Sequence, residues 1–229
     1  MSAGAGAAKS AARSAAESAA KSGRFLLGID IGTFSSKGVL VREDGEVAAE
    51  RMVEHSLDIP SPGRAEHDPE KVWWGDFKLI CADLLAASGV KPSSVAAIGI
   101  STISPAVVAV DSGGRALRPA ILYGIDTRAT EEIAELSAAT GASLDSQSAS
   151  PKVLWIRRHE PEVWARTRWI LNGSGWLNLW LTGQRTIDIY DASIFHPFYD
   201  AISGGWSKEI APLVAPLEMI RGTRPGCRS

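Results

Sequence analysis

The sequence predicts a mixed α/β fold, in which helices cover both faces of a β-sheet. Three β-rich runs lie within residues 25–53, and helical patterns alternate with further apolar strands from residue 68 onward. Strands followed by helices between further strands are typical of this fold class. The 229 residues are 45% apolar and 22% charged, an ordinary globular composition. A chain near this size buries roughly 70% of the surface that its unfolded state exposes, so we expect one good core.

Composition argues against several classes of partner. The net charge of −2 gives no electrostatic reason to expect nucleic acid or an anionic membrane. No apolar run reaches the ~20 residues that span a bilayer. Cys81 and Cys227 lie far apart and show no metal-type spacing, which fits a reduced cytosolic setting. We therefore expect a cytoplasmic protein that binds neither nucleic acid nor a membrane.

The first two β-rich runs predict a hairpin over residues 25–43, because a short Gly/Ser/Thr segment joins them. Glycine in the turn lets the backbone approach a ligand closely, and turn amides can form a concavity that binds anions. Hydroxyl groups and a lysine add donors and a positive charge. The residues that we expect to contact a phosphate here are Gly32, Thr33, Ser35 and Lys37, with Ser36 as a further hydroxyl.

Asp30 ends the first strand of this hairpin. Its carboxylate can hold a hydrated Mg²⁺, since that ion takes one or two carboxylates plus phosphate oxygens. Together these residues suit a site for phosphate and metal. The alternative is a plain hairpin in which Asp30 and Gly32 only make the turn and Lys37 is a solvated strand lysine.

The next elements follow from turn and cap signals. An Asp-Gly turn at residues 43–46 leads into a third strand at 47–53 and completes an antiparallel meander. A loop rich in Pro and Gly follows at residues 55–66. Asp68 as N-cap and Pro69 in the first helical position then open a helix that apolar spacing extends to Ala87.

The remaining elements follow from apolar runs and helical spacing. Strands are predicted at residues 95–101, 107–111, 120–123 and 169–171. Helices are predicted at residues 129–140, 152–159, 161–166, 174–181 and 206–214.

Residues 1–23 form an Ala/Ser-rich tail that repeats a tetrapeptide, AAKS, AARS, AAES and AAKS. Alanine favours helix, but this tail has no larger apolar stripe with which to dock, so we expect a frayed helix or disorder. A transit peptide is the functional alternative, and the few arginines and the acidic Glu17 argue against it.

The hairpin, with Asp-x-Gly-Thr followed by Ser-Ser-Lys, resembles the first phosphate motif of the actin-like ATPase superfamily. Among its members, the FGGY family of carbohydrate kinases resembles this chain most over residues 25–226. The stretches RPAILY with a following D-T-R, PKVLW with EPEVW, WLNLWLTG, D-I-Y-D-A-S and W-S are similar to family motifs in the same order. Each stretch is weak alone, and their order and spacing make the signal strong.

This resemblance implies a ribonuclease H-like (actin-like ATPase) domain with a mixed five-stranded sheet flanked by helices. It places the family's N-terminal, sugar-binding domain at residues 24–226 and leaves residues 227–229 as a truncated terminus. It also implies ATP and Mg²⁺ as cofactors and a sugar or polyol as substrate. It is compatible with a homodimer of the full-length protein. Asp30 would hold Mg²⁺ through water, and the turn would face the transferred phosphate.

On the sugar side, the resemblance suggests Ser104, Asp126, Arg128 and Gln147 as substrate contacts. Asp126 and Arg128 sit where a strand ends and a helix begins, which is a usual place for ligands in α/β folds. The alternatives are an Asp–Arg salt bridge at the helix start and a surface loop position for Gln147. The chain departs from the family at Ser104-Pro105, where relatives that act on xylulose carry Met-His and those that act on glycerol carry Arg-Glu. Neither substrate can be assigned from this segment.

The family's general base is an aspartate expected beyond Ser229, and the nucleotide-binding second domain is expected there too. We therefore assign no catalytic residue in this chain and expect it to have little or no kinase activity alone. Three other hypotheses stay open: another actin-like kinase or ATPase, a non-catalytic sugar-binding or regulatory domain, and a relic without function.

Overall fold

The computed structural model describes residues 23–220, which fall into two compact units. Of the described residues, unit 1 combines 23–54 with Asp76–Ser101, and unit 2 combines His55–Gly75 with 102–220. The predictions for the tail and for the terminus at residues 227–229 lie outside the described residues, apart from residue 23.

The two units together contain ten strands and eight α-helices in the described residues. The strands are β1 (Phe25–Ile31), β2 (Ser35–Arg42), β3 (Val47–Glu54), β4 (Glu66–His67), β5 (Val95–Thr102), β6 (Val108–Val110), β7 (Ala120–Ile121), β8 (Trp169–Leu171), β9 (Tyr199–Asp200) and β10 (Gly205–Trp206). The α-helices are α1 (Gly75–Ser88), α2 (Thr130–Thr140), α3 (Ala149–His159), α4 (Pro161–Arg166), α5 (Gly173–Thr182), α6 (Ile189–Ser193), α7 (Ala211–Val214) and α8 (Leu217–Ile220). A π-helical turn spans Pro69–Trp74, and a 3-10 turn spans Pro92–Ser94.

Unit 1 holds a four-stranded sheet in the order β3-β2-β1-β5. β1, β2 and β3 form the predicted antiparallel meander, with Asp30 opposite Lys37 in the register. β1 alternates buried and exposed residues, as a strand with one covered face should. Helix α1 covers that face, where Ile80 packs so tightly that a Cβ added to Gly38 would lie 2.2 Å from its Cγ2.

The predicted sheet of five strands has only four in the described residues. The apolar run that predicted a strand at residues 107–111 forms β6, and β6 pairs antiparallel with β8 inside unit 2. β4 pairs with β7 and β9 pairs with β10 in two further two-stranded sheets. Short strands therefore find local partners in unit 2 instead of enlarging the main sheet.

The core of unit 2 is centred on helix α3. Its residues Val153, Leu154 and Ile156 are buried with Ile170 of β8 and with aromatic rings from the segment after α6. The loop predicted at residues 55–66 is held down by backbone hydrogen bonds, with Leu122 N donating to Ala65 O over 3.1 Å. The Pro/Gly-rich segment is thus an integral part of this unit.

Two helix predictions need correction. The helix predicted from Asp68 to Ala87 is divided into the π-helical turn and α1, although Asp68 caps it as expected by accepting from Glu70 N and Lys71 N. The helix predicted at residues 206–214 is wrong over its first half, because Trp206 lies in β10. Its ring is 5.0–5.8 Å from the aromatic rings of Tyr199, Phe198 and Phe195, and this packing overrides the helical pattern.

Candidate functional site: a phosphate hairpin and a polar cluster

The predicted phosphate hairpin presents a carboxylate and an ammonium group on the open face of the unit 1 sheet. Asp30 and Lys37 are cross-strand partners, so their side chains stand on the same face, and both are exposed. They line an open cavity of about 680 Å³ together with residues of β1, β2, β3 and β5. The carboxylate and the ammonium are therefore accessible to a ligand on this face.

The turn between β1 and β2 requires its glycine. Gly32 N donates to Ser35 O over 2.9 Å, and a Cβ on Gly32 would lie 2.9 Å from the same oxygen. A side chain here would therefore push the turn open. Thr33 and Ser35 are partly buried beside it, and Phe34 at the tip is 63% exposed. The four residues that we expect to contact a phosphate thus belong to one tight turn and the strand that follows it.

Ser36 faces the opposite side of the sheet from Lys37. Its buried hydroxyl donates to Asp76 Oδ2 over 2.6 Å, in the first turn of α1. This bond fastens the strand after the turn to the helix, so Ser36 serves the fold in this geometry. The sequence pattern did not single out Asp76, although an acid in a first helical turn next to apolar residues is an available signal.

A bound Mg²⁺ is compatible with the donors on the hairpin. Within residues 23–220, no cluster of three or more His, Cys, Asp or Glu side chains could hold a metal ion. A single carboxylate such as that of Asp30 would suffice for Mg²⁺, since this ion keeps several waters and takes its other ligands from phosphate oxygens. Asp30 is the residue that would hold it, and this assignment stays a prediction.

Asp126 and Arg128, the predicted sugar contacts, form a buried ion pair in unit 2. Asp126 has no exposed surface, and Arg128 donates to it through Nε and NH2, at 2.9 and 2.7 Å. Asp126 also accepts from Ala65 N at 2.7 Å, and Arg128 NH1 lies 2.7 Å from Glu66 Oε1. Trp155 packs under the guanidinium at 4.9 Å. This arrangement favours the alternative of an ion pair at the helix start.

Lys152 is a residue of this region that sequence reasoning passed over, although it belongs to the PKVLW stretch. It is 1% exposed, and its Nζ donates to three backbone oxygens, of Leu122 (2.6 Å), Tyr123 (2.8 Å) and Ser146 (2.6 Å). Burial lowers the pKa of Lys152 to about 8, against the attraction of the Asp126 carboxylate. The lysine thereby joins the segment that follows β7 to the loop that carries Gln147.

Gln147 lies on that loop and is exposed. Its Oε1 accepts from Gly124 N over 3.1 Å, so the side chain packs on the backbone close to Asp126. The structure therefore brings Gln147 together with the segment that holds Asp126 and Arg128.

Ser104 belongs to a separate polar cluster of unit 2. Its hydroxyl donates to Asp191 Oδ1, and Asn172 Nδ2 donates to Asp191 Oδ2. Ser174 Oγ lies 3.3 Å from Asp191 Oδ2. Burial raises the pKa of Asp191, as does the charge of Asp188, while the bonds from Ser104 and Asn172 oppose the shift. In the sequence, Asp191 belongs to the D-A-S stretch, and Asn172 lies outside the stretches that carry the family resemblance.

Residues 25–220 match the FGGY family of carbohydrate kinases, N-terminal domain. The chain belongs to this family. A solved structure of xylulose kinase from Rhodospirillum rubrum is 31% identical, covers 88% of this chain and superposes with a TM-score of 0.78. The predicted fold class, the actin-like ATPase fold, is confirmed.

Curated FGGY relatives include two activities. Xylulose kinase from Lactococcus lactis subsp. lactis is 30% identical over 194 residues, which are 81% of this chain and 38% of that protein. Glycerol kinase from Bradyrhizobium diazoefficiens is 34% identical over 152 residues, which are 62% of this chain and 30% of that protein. The chain thus spans less than half the length of these relatives, and its match lies in the N-terminal domain of the FGGY family.

The helices of this FGGY domain that the structure describes include none with the length and hydropathy to cross a bilayer.

Proposed function

We propose that the chain is the sugar-binding and phosphate-binding domain of an ATP-dependent sugar or polyol kinase. The observation that supports this function is the exposed pair Asp30 and Lys37, set side by side at the tight Gly32 turn. An exposed carboxylate and an exposed ammonium group on the open face of a sheet fit a site for a metal-bound phosphate better than they fit a purely structural hairpin. Membership of the FGGY family supports this reaction class.

Phosphoryl transfer depends mainly on positioning and on stabilising charge at the transferred group. Mg²⁺, when bound, neutralises charge on the phosphate oxygens, and the Asp30 carboxylate would hold it through water. The Lys37 ammonium would face the transferred phosphate as a point charge. The turn amides and the hydroxyls of Thr33 and Ser35 would orient the remaining oxygens.

The acceptor in this proposal is a sugar or polyol hydroxyl. Transfer also needs a general base to take the proton of that hydroxyl. We assign this role to none of the described residues, so we expect little or no turnover from the purified chain. A cytoplasmic location and a homodimer of the full-length protein stay predictions.

Calorimetric titration tests the proposal in two parts. Mg·ATP titrated into the 229-residue chain should bind through its phosphates alone, and Asp30→Asn should weaken that binding about tenfold through the loss of the metal contact. Asp44→Asn is the matched control, because Asp44 is an exposed acid of the next turn that bonds to Arg42. Equal losses of affinity in both variants would show that the change in net charge explains the effect, and would contradict the assignment of Asp30.

Titration with a panel of sugars and polyols tests the acceptor side, and a coupled ADP-release assay tests turnover. Sugar binding without nucleotide binding would favour the non-catalytic alternative. Robust turnover by the purified chain would contradict the expectation that it lacks a general base.

A further inference from the structure

Unit 2 carries a basic groove that shares no residue with the phosphate hairpin or with the polar cluster around Ser104. Its volume is about 330 Å³. Small-molecule sites fall in a range of about 300–1,000 Å³, so a ligand with a short carbon skeleton would fill this groove. The lining residues come from α3, α4 and the segment around α7, and they are Arg157, Trp164, Lys208, Ala211, Pro212 and Pro216.

The two cations of the groove have donors to spare. Lys208 is exposed, and its Nζ makes no hydrogen bond or ion pair with another described residue. Arg157 NH1 donates to Pro212 O over 3.0 Å and to Val214 O over 3.5 Å. The Nε and NH2 groups of Arg157 have no partner among the described residues. The guanidinium is therefore held by the backbone on one side and keeps its other donors for a ligand.

The remaining walls of the groove are apolar and rigid. Trp164 packs against the core of unit 2 and is partly buried, so its ring has a fixed place. Its indole N–H donates to no other described residue. Pro212 and Pro216 add two further rings. Such rings offer a surface to the C–H groups of a ligand, while the indole N–H offers one more donor.

Charge complementarity selects the class of ligand. Among the described residues that line the groove, none carries a carboxylate. A phosphate monoester has a charge of about −1.5 to −2 at pH 7 and three strong acceptor oxygens. It therefore matches two neighbouring cations better than a carboxylate, which carries a single charge.

We propose that this groove binds a small organic phosphate, in which a phosphate monoester is attached to a skeleton of about three to five carbons. The Arg157 guanidinium would donate to two phosphate oxygens in parallel, and the Lys208 ammonium would act as a point charge on the third. The carbon skeleton would pack on Trp164. Such a ligand joins α3 and α4 to the segment before α7, so its binding stabilises unit 2.

Calorimetry and thermal unfolding of the 229-residue chain test the proposal. The probes are glycerol 3-phosphate, ribose 5-phosphate and inorganic phosphate. They are added without Mg²⁺ to a Lys37→Met background, so that the phosphate hairpin does not contribute. At least one ester should bind and raise the midpoint of thermal unfolding. Its affinity should exceed that of inorganic phosphate about fivefold, because its carbon atoms leave water.

Two results of these titrations would overturn the proposal. Failure of both esters to bind would remove the site altogether. Equal affinity for inorganic phosphate and for the esters would leave an inorganic anion site and would contradict the organic ligand. Neither result bears on the proposed function, since the groove and the hairpin share no residue.

Lys208→Met examines the charge of the groove at an exposed position, where substitution should leave the fold intact. It should weaken binding of the esters about tenfold through the loss of a charged contact. Lys78→Met, at an exposed lysine of α1, is the matched control and should keep the affinity. Equal losses in the two variants would show that net charge alone attracts the esters, and would overturn the site.

Trp164→Leu examines the apolar wall, and the unfolding midpoint without ligand shows whether this variant folds. It should weaken ester binding about fivefold and leave binding of inorganic phosphate within about twofold. A loss of the same size for the esters and for inorganic phosphate would contradict the packing of a carbon skeleton on this ring. If the variant fails to fold, the comparison of Lys208→Met with Lys78→Met still decides the proposal.

Discussion

The molecule contains two Asp-plus-cation pairs that were both predicted to contact a ligand and that differ in structure. Asp30 and Lys37 are exposed cross-strand partners on an open sheet face of unit 1. Asp126 and Arg128 are two positions apart in unit 2, and Glu66 and Trp155 enclose them. A ligand can reach the first pair, whereas the second pair makes its hydrogen bonds with other groups inside the protein. Accessibility, rather than residue type, separates a candidate binding site from a structural ion pair.

Stability measurements should show the largest difference between the two pairs. Asp126→Ala leaves a buried guanidinium short of a partner and an amide without its acceptor, so it should lower the free energy of unfolding by about 3–5 kcal/mol. Asp30→Ala at the exposed position should change it by less than about 0.5 kcal/mol. Urea denaturation measures both, and similar values for the two variants would contradict the comparison.

A pH titration of stability examines the buried region through Lys152. The pKa of this amine is lowered to about 8 in the folded chain, because burial outweighs the attraction of the Asp126 carboxylate. Between that value and the ordinary lysine pKa, the unfolded chain holds the proton and the folded chain does not. Stability should therefore gain up to about 1.4 kcal/mol per pH unit from this residue above pH ~8.

Lys152→Met should remove that rise, whatever its effect on absolute stability. Lys208→Met, in unit 2 outside this region, is the control and should keep the slope. A slope that is unchanged in Lys152→Met would show that another group titrates.

The smallest effect concerns how the phosphate turn is fastened. Ser36→Ala removes the buried hydrogen bond to Asp76 and should cost about 1 kcal/mol of unfolding free energy. Ser35→Ala, one residue earlier in β2, should cost less, since Ser35 is only partly buried. If Ser35→Ala proved the more destabilising variant, the contrast between the two faces of β2 would fail.

The sequence was most informative where local rules decide the structure. Alternation with period two and a short polar turn were enough to predict the hairpin, and the structure then shows Asp30 opposite Lys37 in its register. Burial of Asp126 depends on Glu66 and Trp155, which lie far away in the chain, and no local pattern contains that information. Trp206 shows the same limit, since its aromatic neighbours turned a helical pattern into a strand.

Gly38 carries a consequence for mutational surveys of this domain. Its missing Cβ lets Ile80 rest on the backbone of β2, so almost any replacement would lift helix α1 off the sheet. Position 38 would then tolerate substitution as poorly as a ligand-binding position does. The cause would be the close packing of the helix on the sheet, and not contact with a ligand. Loss of activity on substitution is thus a poor guide to chemistry along this strand, where Lys37 and Gly38 are neighbours facing opposite ways.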